Sequence, residues 1–561
     1  MKFHQFAGVL HGLRARMHKF HAQLRLMPRP VHSQSAAMEE DAEPEYISRT
    51  GTEEIDTVAV SPVHPEYMVT GTYSLLASEE TPEYEAQVRK GSLEILLVTH
   101  KWMPRYAGML PPNLEKISFS CAIPDIHFHP TDGSLLGVAT STGYVHFFRF
   151  YKHGDVLGRR VDARLLPMGF AKVADADEHG LKPLVTQFTW SPEISTHGVT
   201  GIDDFHRAGL AFTSSFGNTS YVIVEIPAIR DVFDHRLAKE VPELTHMSAK
   251  LHKHELEAWT VAAVTLRSSY DTFDRLVFSG GDDSALMATS VQLPNTTSPS
   301  FNYDDVSINT NLLWRDRRSH GAGVVAILPL PAMHVPRDTG MHGKKEILPL
   351  LTGSYDETLR IFEIDMVSYR PVLQKEMKFA GGVWRLKVLD EYSTITTDQG
   401  ELMLLEHEEE HTALRTKHFG GQLEHHTLIV VSLMHAGAMI IRVTYTRGTD
   451  LSGCSWSITP LQRFRDGHES MVYCCAARLE PPPVLFPRFS YKAVLKSSKP
   501  RREGDDDARC PTYTVVSTSF YDKKICTWKF IDRFKGRAQL KPIDCTRKND
   551  DTVGRRVFQQ A

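Results

Sequence analysis

The chain has 561 residues, 64 basic and 68 acidic side chains, and a formal net charge of −4, a balance that excludes the concentrated basic surface of a nucleic-acid binder. No uninterrupted apolar run is long enough to cross a bilayer as a helix, and pieces such as "LEILLV" are strand-sized, so no membrane role is expected. The seven cysteines are scattered without a C-x-x-C spacing, which supports neither a disulfide framework nor a zinc knuckle and fits a reducing compartment.

Residues 1–50 form a basic leader with no acid before Glu39. That is the charge bias of a mitochondrial transit peptide and equally of an unstructured basic tail, with Met38 as an alternative start. The expectation is a cytoplasmic protein, with mitochondrial targeting by the leader as the minor alternative.

From there the chain repeats one plan: a β-rich run ending in small residues, a tight turn, then an alternating strand. In chain order the copies are "YMVTGTYSLLAS" around Tyr73, "LLGVATSTGYVHFFRF" with its turn at Gly143, and "AFTSSFGNTSYVIVEI" with its turn at Gly217. Then come "VFSGGDDSALMATSV" at Asp283, "LLTGSYDETLRIFEID" at Asp356, "VVSLMHAGAMIIRV" at Gly437 and "VVSTSFYDKKICTWKF" at Asp522. Gly400 offers a rival phase for the sixth copy. Three of the extended segments that precede these pairs are introduced by His254, His320 and His468. Histidine, strand, small-residue strand, turn aspartate and aromatic strand is the order of a WD-type blade. One blade cannot cover its own faces, so the copies must stack in a ring.

The fold class predicted is therefore all-β: a WD-repeat β-propeller of about seven blades over residues 51–532. Long polar insertions are expected near 292–312, 393–426 and 497–511, with a polar tail over 533–561. The turn acids Asp283, Asp356 and Asp522 and the loop histidines read as bracing, because buried polar groups are normally paired. "HEEEH" (His407–His411) matches the zinc-protease helix pattern. It lies in a charged insertion with little apolar periodicity to pack such a helix, and reads instead as a solvated loop. No metal and no cofactor are expected. G-x-S-x-G, the P-loop and the dinucleotide fingerprint are absent.

"GTYSLL", "HELEAW", "FSGGDDSAL", "LLTGSYDETLRIFE", "GGVWRLKVLD", "SLMHAGAMIIRV", "GHESMVYC" and "STSFYDKKICTWKF" occur in an order that resembles the WD-repeat diphthine methylesterase family, also called diphthine methyltransferase. The resemblance runs from about Asp56 to Phe530, and excludes the leader and the acidic, histidine-rich insertion of the sixth blade. It implies hydrolysis of the methyl ester of diphthine methyl ester on elongation factor 2, giving diphthine in diphthamide biosynthesis, by a monomer with elongation factor 2 as its protein partner.

In a propeller of this type the loops into the inner strands and the turns between the middle strands emerge on one rim. Superposing the copies gathers Tyr73, Asp282, Tyr355 and Tyr521 from the turns, with His435 nearby, and Glu257, Trp259, Trp384, Arg385 and Ser470 from the starts of inner strands. For the implied substrate, aromatic faces from Tyr73, Trp259, Tyr355, Trp384 and Tyr521 suit its trimethylammonium group, and Asp282 or Glu257 adds negative charge. His435 is the expected general base on water and Arg385 the group steadying the oxyanion. Ser470 attacking with His468 is the second arrangement. The rival reading of every one of these residues is packing between blades. The rival function is a non-catalytic interaction scaffold, since fold alone does not fix activity. A ubiquitin-ligase substrate receptor is disfavoured by the endings "FEID" and "TWKFID", which lack tryptophan-aspartate-x-arginine.

Overall fold

The computed structural model describes residues 44–75, 89–98, 114–154, 161–191, 205–227, 241–267, 273–293, 308–336, 344–396, 400–405, 422–447, 454–480 and 510–539. Their strands pair into seven antiparallel blades, each built on a path of four strands. The inner strands are Ile55–Val60, Asp125–Phe128, Val185–Ser191, Ala258–Arg267, Val324–Pro329, Arg385–Thr396 and Val472–Leu479. Each packs against the next around the ring, and the seventh packs against the first, so the protein is a seven-bladed β-propeller.

Middle strands are covered on both faces by neighbouring blades and read as buried β-branched runs, as in Thr512–Ser519 ("TYTVVSTS"), buried at every position but the first. Small residues end these strands because the next inner strand presses on them. A Cβ on Gly353 would stand 2.3 Å from Val383 Cγ1 of the sixth blade. The core is accordingly a series of clusters between blades, such as Leu428, Val430, Phe464, Tyr513 and Trp528 between the sixth and seventh.

The ring is closed by Tyr46–Thr50, which pairs with Lys524–Ile531 as the outermost strand of the seventh blade, Tyr46 lying opposite Trp528. Residues 46–50 therefore belong to the propeller and not to the leader that was drawn through residue 50. Their pattern, "YISRT", alternates between exposed and half-buried, too weak a signal to mark a strand. Deleting the chain through Thr50 strips this edge. The expected result is a thermal midpoint lower by about 5 °C or more, read by calorimetry, together with aggregation through the bared strand.

Two other boundaries differ from expectation, and the phase of the sixth blade is settled as expected. The first copy is not a tight hairpin: after Ser74–Leu75 the chain returns as Arg89–Leu97, which pairs with Tyr67–Thr72. The tail begins with helix α1 (Arg533–Gln539), too short to show periodicity in the sequence. Asp532 caps α1, its Oδ1 accepting from the amides of Phe534 and Lys535 at 3.1 Å each. Arg442 Nη2 bonds Asp532 at 2.8 Å and Lys535 Nζ bonds Asp390 at 2.5 Å, so α1 is pinned to the propeller. Gly400 precedes the short strand Leu402–Leu405 that pairs with the far end of the sixth inner strand. Gly437, at φ +91°, holds the middle turn of that blade and settles its phase.

The outer strand Asn309–Asp316 of the fourth blade starts inside the first expected insertion. Residues 1–43, His407–His411 and 481–509 lie outside the described residues.

Candidate functional site

The turn acids brace the rim. Asp283 accepts from His254 Nδ1 at 2.9 Å and from the Glu255 amide at 3.0 Å; Asp356 accepts from the Gly321 amide at 2.8 Å; Asp522 accepts from the Glu469 amide at 2.7 Å. In all three blades the turn acid thus takes the amide that follows the loop histidine. The histidine ring is held from below by a small hydroxyl: Ser279 for His254 at 2.7 Å, Thr352 for His320 at 2.9 Å, and Ser517 for His468 at 2.7 Å. Burial pushes His320 and His468 down to about 4, so both are neutral spacers at physiological pH. The bracing expected from the sequence is present.

A second device aims side chains into the central channel. Five inner strands break register at their first turn, leaving Asp56, Thr186, Trp259, Val325 and Tyr473 as bulged residues. Trp384 occupies the corresponding step immediately before the sixth inner strand, its amide bonding Ser432 O at 3.0 Å. The glycines of "GGVWRL" let the chain approach that step closely, since a Cβ on Gly381 would stand 2.2 Å from Leu433 O.

The aromatic members touch. Trp384 is the centre, with ring centroids 5.9 Å from Trp259, 5.7 Å from Tyr355 and 5.3 Å from Tyr473. From Tyr473 the chain continues to Phe520 at 4.9 Å and on to Tyr73 at 6.1 Å. Val325, the small member between the fourth and sixth blades, leaves the two tryptophans free to meet across the mouth. Trp259 Nε1 is buried without a hydrogen-bond partner among the described residues.

Asp282 and Glu257 act on Tyr355, whose hydroxyl is held well above its ordinary range, chiefly by burial and then by Asp282. Arg385 acts on the same hydroxyl in the lowering direction; its Cζ lies 5.0 Å from the Trp384 ring centroid and its Nη1 donates to Val325 O at 3.0 Å and Trp384 O at 3.2 Å. Asp56 is half-buried and feels the charge of this guanidinium. Burial lifts its carboxyl to about 7, with Arg385 opposing and Asp125 adding to the rise. Tyr473, lifted by burial and then by Tyr521 and Asp56, and Tyr73, lifted by burial, stand beside it.

The candidates predicted from sequence separate into groups. Tyr73, Trp259, Tyr355, Trp384 and Arg385 join in one network with Glu257 and Asp282 at its edge. In the sixth blade Ser432 pairs with Arg385 and Ala438 as Gly353 pairs with Ala326 and Leu359, so Met434 takes the step of Tyr355 and His435 the step of the turn acid Asp356. His435 Nδ1 is buried without a hydrogen-bond partner among the described residues.

Tyr521 differs from the superposition. Phe520 N bonds Met471 O at 3.1 Å just as Tyr355 N bonds Gly323 O at 3.0 Å, so Phe520 takes the inward step. The seventh turn is one residue longer, and Tyr521 is the added residue, 44% exposed, its ring 5.0 Å from Phe520 and its hydroxyl bonded to Tyr473.

Ser470 is drawn into the bracing: its hydroxyl donates to Asp522 at 2.7 Å and accepts from the amides of Tyr521 and Asp522 at 3.1 and 3.3 Å. His468 bonds Ser517 and Ser519 at 2.7 Å each, and not Ser470.

Sequence reasoning missed Asp56, Tyr473 and Phe520. The bulge is the signal for the first two, and it is a property of strand register. No group of three or more candidate metal ligands occurs among the described residues.

No family model matches the chain. It is 24% identical over 479 residues to diphthine methyltransferase of Schizosaccharomyces pombe, covering 85% of this chain and 94% of that protein. It is 24% identical over 284 residues to diphthine methyltransferase of Saccharomyces cerevisiae, covering 47% of this chain and 62% of that one. Among solved structures, Sqt1 of Saccharomyces cerevisiae superposes at a TM-score of 0.40 with 9% identity, over 88% of this chain and all (100%) of that one. Sqt1 of Chaetomium thermophilum gives 0.40 with 12% identity, over 87% and 100%. The architecture rests on the strand pairing itself.

Proposed function

We propose that this propeller hydrolyses the methyl ester of diphthine methyl ester on elongation factor 2, releasing methanol and leaving diphthine for the later steps of diphthamide biosynthesis. The similarity to the two diphthine methyltransferases supports the pathway. The observation that carries the chemistry is the contiguous aromatic mouth centred on Trp384, with the Arg385 guanidinium against that ring and Asp282 and Glu257 acting on Tyr355.

The trimethylammonium group fits against Trp259, Trp384 and Tyr355, where each aromatic face contributes about 0.5–2 kcal/mol to holding a cation. Glu257 and Asp282 add opposite charge at that end. The ester then lies toward Arg385, whose Nε and Nη2 have no partner among the described residues and suit an oxyanion. The candidates to take a proton from the attacking water are His435 and Asp56. Ser470 ranks below both because its proton already serves Asp522.

Replacing Trp384 by phenylalanine keeps a ring but weakens the cation-holding face. The expected result is a KM raised about 3–10-fold with kcat largely kept, in a steady-state assay of methanol release.

A non-catalytic scaffold is the second reading, favoured by Leu256 and Tyr521, which expose 42% and 44% of their surface at this rim. Purified protein mixed with elongation factor 2 bearing diphthine methyl ester separates the two. Stoichiometric methanol and a mass lowered by one methylene per modified histidine support the esterase. A stable complex without turnover supports the scaffold.

A further inference from the structure

Building on that reading, we infer that Asp56 is the general base of ester cleavage, with Arg385 as its counter-ion and oxyanion donor. The bulge between Ile55 and Thr57 turns Asp56 out of the alternation of its strand, while both neighbours are buried. Its carboxylate makes no hydrogen bond to any described residue, unlike Asp283, Asp356 and Asp522 on the same rim, which are fully engaged. The charge of Arg385 acts on it, favouring its ionised form. Glu53 and Glu54, which precede it, are bound to Thr72 and Ser74 at 2.6 Å.

The step balances without any further reactant. The Asp56 carboxylate removes a proton from water as the water oxygen bonds the ester carbonyl carbon, and the carbonyl electron pair moves to oxygen, facing Arg385. Collapse of the adduct breaks the bond to methoxide, and the proton held on Asp56 passes to that oxygen, giving methanol. The new carboxylic acid then ionises to solvent.

The groups that set the charge of Asp56 are Arg385 from the sixth blade, which favours the ionised form, and Asp125 from the second, which opposes it. Asp125 is itself bound to His127 Nε2 at 2.9 Å. Tyr473, Tyr521 and Tyr73 close the site from the seventh and first blades. Since the base acts ionised, log(kcat/KM) should climb with unit slope as pH rises and level off above about 7.

The test compares wild type, Asp56→Asn and His435→Asn on elongation factor 2 bearing diphthine methyl ester across pH 5–9, with thermal midpoints recorded alongside. For Asp56→Asn the expected result is a kcat lower by about 10²–10³-fold at high pH, a KM little changed and a flat profile. A carboxyl raised in the folded state ionises first in the unfolded chain, so its cost to stability is absent at low pH and complete above about 7. The Asp56→Asn midpoint should therefore equal wild type near pH 4 and exceed it at pH 8. Retention of turnover and of the acidic limb by Asp56→Asn, with their loss in His435→Asn, overturns the assignment while leaving the esterase in place. A wild-type protein that releases no methanol overturns both.

Discussion

Arg385→Gln is expected to lower kcat on diphthine methyl ester by about 10²–10³-fold, the usual cost of removing one donor to a developing oxyanion. The variant should remain folded. Arg385 supplies one hydrogen-bonding nitrogen to Val325 O and Trp384 O, and bonds of this kind contribute about 1–3 kcal/mol. It also removes the positive charge that opposes protonation of Asp56, so the acidic limb of the pH profile should move to higher pH. Arg385→Lys keeps the charge and loses the fork, and should fall between the two in both respects. Stopped assays of methanol release over a pH series, with circular dichroism for folding, read all three effects. Equal turnover in wild type and Arg385→Gln would take the guanidinium out of the chemistry and leave it as a tie between the fifth and sixth blades.

Asp283→Ala should act on stability and leave the chemistry of folded molecules intact. The side chain is 3% exposed and hydrogen-bonded to His254, and it also accepts from the amides of Glu255 and Ala285 and from Arg315 Nη2 at 2.8 Å. Alanine strands a buried imidazole and two amides at once, a loss of about 3–5 kcal/mol by analogy with buried pairs broken on one side. Asp356 accepts from the amides of Gly321 and Thr358 and from Arg360 but bonds no histidine, so Asp356→Ala should cost less. Urea denaturation followed by tryptophan fluorescence gives both values. Asp283→Ala with wild-type stability and no turnover would move this acid from the brace to the active site.

The same braces make the fold acid-sensitive. Asp283 is held below the usual carboxylate range, its hydrogen bonds from His254 and the Glu255 amide outweighing desolvation. Its stabilisation is present above the unfolded carboxyl value and is lost as pH falls through the depressed one. Burial likewise puts His252 and His426 at about 3 and His320 and His468 at about 4. Below the ordinary imidazole value the unfolded chain takes up protons first, so stability should begin to fall just under pH 6.5 and keep falling toward pH 4. Denaturation midpoints at pH 8, 6 and 4.5 check the order.

Blade architecture was legible because its device is local: an acid in a tight turn, small residues before it and an alternating strand after it recur with little dependence on the rest of the chain, each introduced by a histidine further upstream. Tyr355, Trp259 and Trp384 were legible for the same reason, since each stands at a fixed step from those marks. Tyr521 was misplaced because one added residue in the seventh turn keeps Asp522 in register with the outer strands while Phe520 takes the inward step. Asp56 and Tyr473 were hidden because a bulge is decided by how two strands pair, and "EIDTVAV" and "MVYCCAA" read simply as strands. Tyr46–Thr50 was assigned to the leader because its contribution is made opposite Trp528, far along the chain.

The central claim is that chain-distant aromatic rings meet at one end of the channel to hold a quaternary ammonium. Titrating the purified protein with choline and with its neutral tertiary-butyl analogue, followed by quenching of tryptophan emission, isolates the charge from the shape. The account predicts saturable quenching by choline, binding weaker by about tenfold or more for the neutral analogue, and a choline affinity lower by about 3–10-fold in Trp384→Phe. Equal binding of the two ligands, or a choline response that survives Trp384→Phe unchanged, would contradict it.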